Sequence, residues 1–336
     1  MIQELFDQYQ ITVSELASFG PYQSFWIRNK VYILVPVGKF QEEELVEMKK
    51  LSDYMTEQGD LSVASFVPTI HGYYVSEIAN QNYCLLKTMR QMDRQIPNLS
   101  EGKELAAFHE RSKLFPEEII ELNRIGEWKG LWERRLDQLE KFWQGKAGTH
   151  PADPFERLFI ESFPYYLGIT ENAIQYVVDT ELDDDPKLTD AAAICQQRFT
   201  SQTWQKTKRI KIPMEWVYDH PTRDLAEWIR HTYMEEQDGA EKRILQFLTD
   251  YESVSPLSSF GWRMLFARLL CPLQYFETIE GYYLTNKEEV RSMYYENLQQ
   301  MVERSSEFES FLSGFYKMVH LPIQKLGIRE IDWLQR

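Results

Sequence analysis

Cysteine, clustered histidine, long apolar runs and positive charge are what this chain has least of, and each shortage closes a class of function. Three cysteines, Cys84, Cys195 and Cys271, are scattered over 336 residues. No CxxC pair and no Cys/His knuckle occurs, so a disulfide framework and a structural zinc module are not expected, and the thiols read as buried apolar groups. His71, His109, His150, His220, His231 and His320 stand too far apart to suggest a ligand set. No apolar segment approaches the ~20 residues of a membrane-spanning helix, and the opening MIQELFDQYQITV carries no signal pattern. The expectation is cytoplasmic synthesis without membrane insertion. Lys and Arg total 37 against 52 Asp and Glu, a formal net charge of -15, which argues against nucleic acid as a partner.

What is there is apolar and aromatic: 43% hydrophobic and 14% aromatic residues, with 9 Trp, 19 Tyr and 19 Phe. That composition excludes disorder and supplies a core for one large domain or two modest ones.

The first ninety residues differ in texture from the rest. SFWIRNKVYILVPVGKF, Ser24 to Phe40, holds two β-rich runs around Arg28-Asn29-Lys30, the pattern of a hairpin. Ile33, Val35 and Val37 share one face by period two, with Tyr32 and Leu34 on the other. In QEEELVEMKKLSDYMTEQGD, Leu45, Met48, Leu51 and Met55 recur at helical spacing and Gly59 ends the run. FVPTIHGYYVSEIANQNYCLLKTM then reads as a second strand pair, with turns at His71-Gly72 and Ala79 to Asn82. The order predicts an antiparallel sheet with one long helix against it.

From about Met89 the pattern turns helical. Trp128, Leu131, Trp132, Leu136, Leu139, Phe142 and Trp143 form one stripe. PFERLFIESFPYYLGITENAIQYVVD is a second helical stretch, with Pro164 marking a break or kink. After the acidic loop ELDDDPK comes a short strand over Ala191 to Cys195, then a helix at PTRDLAEWIRHTYM with Thr222 as its N-cap and Asp224 in its first turn. Further helices are expected at about Ala240–Tyr251, Phe260–Leu270 and Asn286–Met318. The fold class is α+β: residues 1–90 form a small sheet lobe and 91–336 a large helical lobe, hinged near Leu85 to Asp93.

These segments in this order resemble a known family. The strand pair, the helix, VPTIHGYYV and YCLLKTM resemble the N-lobe of aminoglycoside-phosphotransferase-like kinases. AAAICQQRFTSQTW, followed by IPMEWVYDHPTRDLAEWIR, stands where those kinases carry their catalytic and metal-binding segments, and YDHPTRDLAEWIR is the most specific piece. The likeness spans nearly the whole chain and is narrowest toward the CotS-type spore-coat members of that superfamily. It implies a bilobal kinase-like fold, and association with spore coat proteins in an endospore-forming bacterium.

The resemblance also says what an active member needs. The Asp of a His-Gly-Asp-x4-Asn loop handles the proton of the attacking hydroxyl; the loop Asn and a later Asp hold magnesium; a lysine on the third strand meets the phosphates. Carried onto this chain, His-Gly-Asp falls on Gln196-Gln197-Arg198, the loop Asn on Thr203, and the strand lysine on Val35. Arg cannot serve as a base, because its pKa stays above about 12. It also reverses the local field: two like charges about 4 Å apart at an effective dielectric of about 20 repel by roughly 4 kcal/mol. For the later Asp the candidates are Glu215 and Asp219, both weak. Lys39 lies beyond the strand. Glu43, Glu44 and Glu47 on the following helix then have no lysine to steady and read as a solvated acidic face.

Arg198 has two readings, an ion pair with Asp219 or Glu215, or an anion contact that needs no metal. Asp219, Arg223 and Asp224 read as ties between the helix entry and the loop. Asp183, Asp184 and Asp185 read as a solvated loop, and His109 as packing. The stripe with Trp128, Trp132 and Trp143 is either core or a partner patch. The functional expectation is a kinase-like protein without catalysis and without a cofactor, joined to spore coat assembly. The alternatives are an atypical small-molecule phosphotransferase and a metal-independent nucleotide or anion module.

Overall fold

The computed structural model describes residues 1–38, 40–89, 99–206, 209–236 and 238–335. Lys39 and the 90–93 part of the expected hinge lie outside the described residues. The chain divides into two compact units, one of Met1–Arg124, Ala192–Glu235 and Thr249–Ser255, the other of Ile125–Ala191, Glu236–Leu248 and Pro256–Arg336.

The first unit opens with α1 (Ile2–Tyr9), which the polar look of the terminus concealed although Leu5 and Tyr9 sit four apart on its buried face. The strands are β1 (Ala17–Phe19), β2 (Tyr22–Ile27), β3 (Lys30–Pro36), β4 (Ser65–Val67), β5 (Val75–Ile78) and β6 (Gln81–Met89), with α2 (Glu42–Glu57) between β3 and β4. All pairings are antiparallel in the order β1-β2-β3-β6-β4, and β5 joins β6. The expected hairpin is present: Ile27 pairs Lys30 across Arg28-Asn29, with Arg28 at φ 54°. A second two-residue turn, Ala79-Asn80, takes φ of 51° and 61° and brings Ile78 opposite Gln81.

Both faces of β3 are buried. Leu34 joins Leu5, Tyr9, Val13, Phe25, Ile78 and Leu85 under α1, while Val31, Ile33 and Val35 on the opposite face are also closed to solvent. Helix α2 packs by Leu45, Met48, Leu51 and Met55. α3 (Glu101–Ser112), β7 (Ala193–Gln196), α6 (Thr203–Lys206), β8 (Trp216–Asp219) and α7 (Thr222–Glu235) complete this unit's named elements.

The acidic face of α2 departs from its solvated reading. Glu44 completes a capping box with Gln41. The Glu47 carboxylate accepts three backbone N–H groups, from Ile120 at 2.8 Å, Glu121 at 3.2 Å and Leu122 at 2.9 Å. Its partners are amides 73 to 75 residues away, which no local pattern announces.

The second unit is helical: α4 (Trp128–Ala147), α5 (Pro154–Asp183), α8 (Ala240–Glu252, whose last turn belongs to the first unit), α9 (Ser259–Leu270), α10 (Leu273–Leu284), α11 (Glu288–Glu303), α12 (Ser305–Met318) and α13 (Ile323–Leu326). The helix expected over Asn286–Met318 is two, divided at Arg304. Pro164 does not break α5, which runs 30 residues through it. Proline has no N–H to give the carbonyl four residues back. That carbonyl belongs to Ile160, and the Trp143 indole Nε1 donates to it at 3.0 Å. Trp128, Trp132, Leu136 and Leu139 are buried and Trp143 packs at the edge of the core, while Leu131 and Phe142 of the same stripe stay exposed. Asp183 ends α5 with its carboxylate 3.9 Å from both Arg263 and Arg329. Asp184 accepts the Ser259 hydroxyl, and Asp185 is exposed.

Candidate functional site

Strands β7 and β8 form a two-stranded antiparallel sheet in which Ala193 pairs Asp219 and Gln196 pairs Trp216. The loop between them carries Gln197, Arg198 and Thr203, so one hairpin brings together six of the sequence candidates: Gln196, Gln197, Arg198, Thr203, Glu215 and Asp219. Val35, the seventh, lies in β3 opposite Cys84 and is 2% exposed.

Gln196 is buried, and neither polar atom of its amide meets a partner among the described residues. Gln197 and Arg198 are exposed. The Gln197 backbone N–H donates to the Glu215 carbonyl at 2.6 Å, and its side-chain amide donates to the Met214 carbonyl at 3.2 Å. The Thr203 hydroxyl is turned into the loop: it accepts the Thr200 N–H at 2.8 Å and donates to the Arg198 carbonyl at 3.3 Å. It closes the Arg198–Thr203 segment on itself.

The neighbouring carboxylates are engaged. Glu215 accepts the Tyr22 hydroxyl at 2.7 Å. Tyr22 follows the tight Gly20-Pro21 turn between β1 and β2, where Gly20 has φ 57°. Burial pushes the Glu215 carboxyl above its usual range, and the bond from Tyr22 pulls back only in part. Asp219 uses both oxygens: Oδ1 accepts the His220 N–H at 2.7 Å and Oδ2 accepts Arg223 Nη1 at 2.9 Å. Arg223 also donates to the Gln196 carbonyl at 3.1 Å and the Gln197 carbonyl at 3.2 Å. Thr222, expected as the cap of α7, is its first helical residue, and its hydroxyl lies 2.6 Å from His220 Nδ1.

Behind the loop lies a cluster the sequence spacing did not reveal. Asp224 and His109 are both 0% exposed. Asp224 accepts the Gln196 N–H at 3.0 Å, and its other oxygen is 3.2 Å from His109 Nε2. His109 Nδ1 meets the Tyr251 hydroxyl at 2.9 Å. Burial pushes the Asp224 carboxyl up and the His109 imidazole down, which favours a neutral, proton-sharing pair over two charges. Cys195 places its sulfur near both, so that His109, Cys195 and Asp224 present ligand-type atoms within 4.8 Å of one another. Both imidazole nitrogens are already engaged, and the arrangement works as a hydrogen-bonded support. The packing reading of His109 was therefore incomplete; the missing signal is Asp224, 115 residues further along.

A second buried group stands under the loop's aromatic end. Lys211 Nζ, 3% exposed, donates to Asp60 at 3.0 Å, Ser62 at 2.8 Å and Glu104 at 3.3 Å. It sits 4.8 Å from the Trp204 ring centroid and 5.2 Å from that of Phe108. Phe199, 0% exposed, packs edge-on against Trp204 at 4.9 Å. Burial pushes the Asp60 carboxyl up, but Lys211, Ser62 and Arg111 together hold it below its usual range.

Together these contacts brace the described part of the loop behind an exposed Arg198. A magnesium ion in such a site is held by one or two carboxylates together with substrate phosphates and water. Here the Thr203 oxygen faces the loop, Glu215 faces Tyr22, and both Asp219 oxygens face N–H donors. Thr203 and Asp219 spend their oxygens on neighbouring donors, while Glu215 gives only Oε1 to Tyr22.

The chain is similar to curated and solved proteins over nearly all its length. The family model described as "Spore coat putative kinase YutH" matches residues 2–315. The "Endospore coat-associated protein YutH" of Bacillus subtilis (strain 168) is 42% identical over 329 residues, covering 98% of this chain and 96% of that one. "Spore coat protein S" of the same strain is 26% identical over 212 residues, or 61% of this chain and 60% of that one. Among solved structures, an aminoglycoside phosphotransferase from Alicyclobacillus acidocaldarius subsp. acidocaldarius DSM 446 superposes with a TM-score of 0.67 at 15% identity, covering 95% of this chain and 96% of that one. That likeness shows the fold, an aminoglycoside-phosphotransferase-like architecture of antiparallel sheet and helices, as the sequence led us to expect. The chain belongs to the YutH family of spore coat kinase-like proteins.

Proposed function

We propose that this protein is a pseudokinase: a kinase-fold protein that transfers no phosphate and associates with the spore coat through its surface. The observation that carries the reading is Arg198, an exposed guanidinium at the position where phosphoryl transfer calls for a carboxylate. Its support is the engagement of Thr203, Glu215 and Asp219 described above. Losing a general base costs typically 10²–10⁴-fold in rate, and losing metal charge neutralisation costs several further kcal/mol. Coat association is supported by the printed name of the 42% identical relative. In this reading the protein is made in the cytoplasm of an endospore former and joins coat proteins. The sheet lobe spans residues 1–90 and the helical lobe 91–336.

The test is turnover. Purified protein is incubated with radiolabelled ATP and magnesium or manganese, with small amines and alcohols as acceptors. The expected result is no labelled product above that of Arg198→Ala. Product formed by wild type and lost in Glu215→Gln or Asp219→Asn would replace the proposal with an atypical phosphotransferase.

A further inference from the structure

The segment that joins α3 to α4 holds aliphatic side chains outward on a fixed backbone. It runs antiparallel to α2. Phe115 packs edge-on against Tyr54 at 5.3 Å, Glu117 pairs Lys50 at 2.6 Å, and Ile120 to Leu122 hang from Glu47. Its far end is tied to β8, since Tyr218 donates to the Leu122 carbonyl and Arg124 to the Tyr218 carbonyl, each at 2.8 Å. Ile119 and Leu122 point inward at 4% and 2% exposure. Leu114 at 73%, Ile120 at 66% and Val46 on α2 at 48% point outward. Three bonds from Glu47 pin the backbone on which Ile120 stands, so its exposure is built in. Around these apolar groups stand Glu43, Glu118 and Glu121, all exposed and without an ion-pair partner among the described residues.

We propose that this face of α2 and residues 114–121 is a docking surface for a basic amphipathic segment of a partner protein. Apolar side chains held outward in water mark an interaction site, and unpaired carboxylates around them select a positively charged occupant. Because the backbone is already fixed, an incoming segment meets a preorganised surface. The inference names a surface and a partner class for coat association, and it does not depend on whether the loop at Arg198 is catalytic.

The test uses two synthetic peptides of equal length, one patterned with Leu and Lys and one with Leu and Glu, titrated by fluorescence anisotropy into the full chain. The Leu/Lys peptide is expected to bind and the Leu/Glu peptide not. Ile120→Asp is expected to weaken binding by about tenfold or more, the equivalent of about 1.4 kcal/mol. Glu118→Lys with Glu121→Lys is expected to do the same, while Glu288→Lys with Glu289→Lys on α11 changes it less than about twofold. Ile120 is exposed, so its variant folds, and an unchanged melting temperature checks this. Equal weakening by the two charge reversals would overturn the proposal, because attraction would then come from the whole acidic surface. So would absence of binding, or concentration-dependent self-association abolished by Ile120→Asp, which would make a second copy the occupant.

Discussion

The two sides of the β7–β8 loop follow different rules. On its front, Arg198 is an exposed cation, and Thr203 spends its hydroxyl on the loop itself. On its back, Asp224 receives the Gln196 N–H, Arg223 holds two loop carbonyls, His109 and Tyr251 complete a buried network, and Lys211 lies against Trp204. The groups that fix the loop's shape are buried and bonded, while in the proposed reading the front lacks the groups that phosphoryl transfer calls for. In that reading shape and chemistry are separable, because the backing holds the loop whether or not phosphate is transferred.

The comparison breaks first at the back. Asp224→Ala removes the acceptor for Gln196 and one partner of His109 in a dry interior, where each buried polar group left unpaired costs about 1–3 kcal/mol. The expected outcome is a lower urea midpoint or no soluble protein; a loss under about 1 kcal/mol would mean that the network does not hold the loop.

Lys211→Met comes next, at about 3 kcal/mol, because Asp60 and Glu104 lose their shared cation. It also changes the acid limb. Asp60 has a folded-state pKa below its unfolded value, so its contribution is full above about pH 4 and fades as pH falls through the folded value. Without Lys211 the folded value rises toward the unfolded one, so this contribution shrinks, and the fall in melting temperature between pH 7 and 3 is expected to be shallower than in wild type. Coincident acid limbs would remove Lys211 as the cause.

Glu47→Ala frees the three amides of residues 120–122 and is expected to cost about 1.5–3 kcal/mol. Hydrogen exchange at those amides checks it directly, and unchanged protection would contradict the anchor. The smallest effect belongs to the front. Arg198→Asp with Thr203→Asn is expected to move stability by about 0.5–1 kcal/mol at most, since Arg198 is exposed and Asn can still bond within the loop. A loss as large as that of Asp224→Ala would erase the distinction between the two sides.

What was legible in the sequence follows the range of the forces involved. Period-two and helical spacing located the Arg28-Asn29 hairpin, α2 and α4, because those patterns are local. The same rules missed α1, too short to stand out, and could not show that the helix continues through Pro164, because the carbonyl it orphans is met by Trp143 on a different helix. The resemblance brought six candidates to one hairpin. It could not say where their side chains point, because Tyr22 reaches Glu215 across 193 residues and Glu47 finds its amides across 73 to 75. Composition gave net charge but not the outward placement of Ile120, which depends on Glu47.

Thermal unfolding of the wild-type chain with ATP, in the presence and absence of magnesium, tests most directly whether the front of the loop has lost its metal site. A ligand at 100 times its dissociation constant adds about 2.7 kcal/mol, or ~4 °C for a chain of this length. The account predicts no magnesium-dependent rise. A magnesium-dependent rise of that size, abolished by Glu215→Gln or Asp219→Asn, would contradict it.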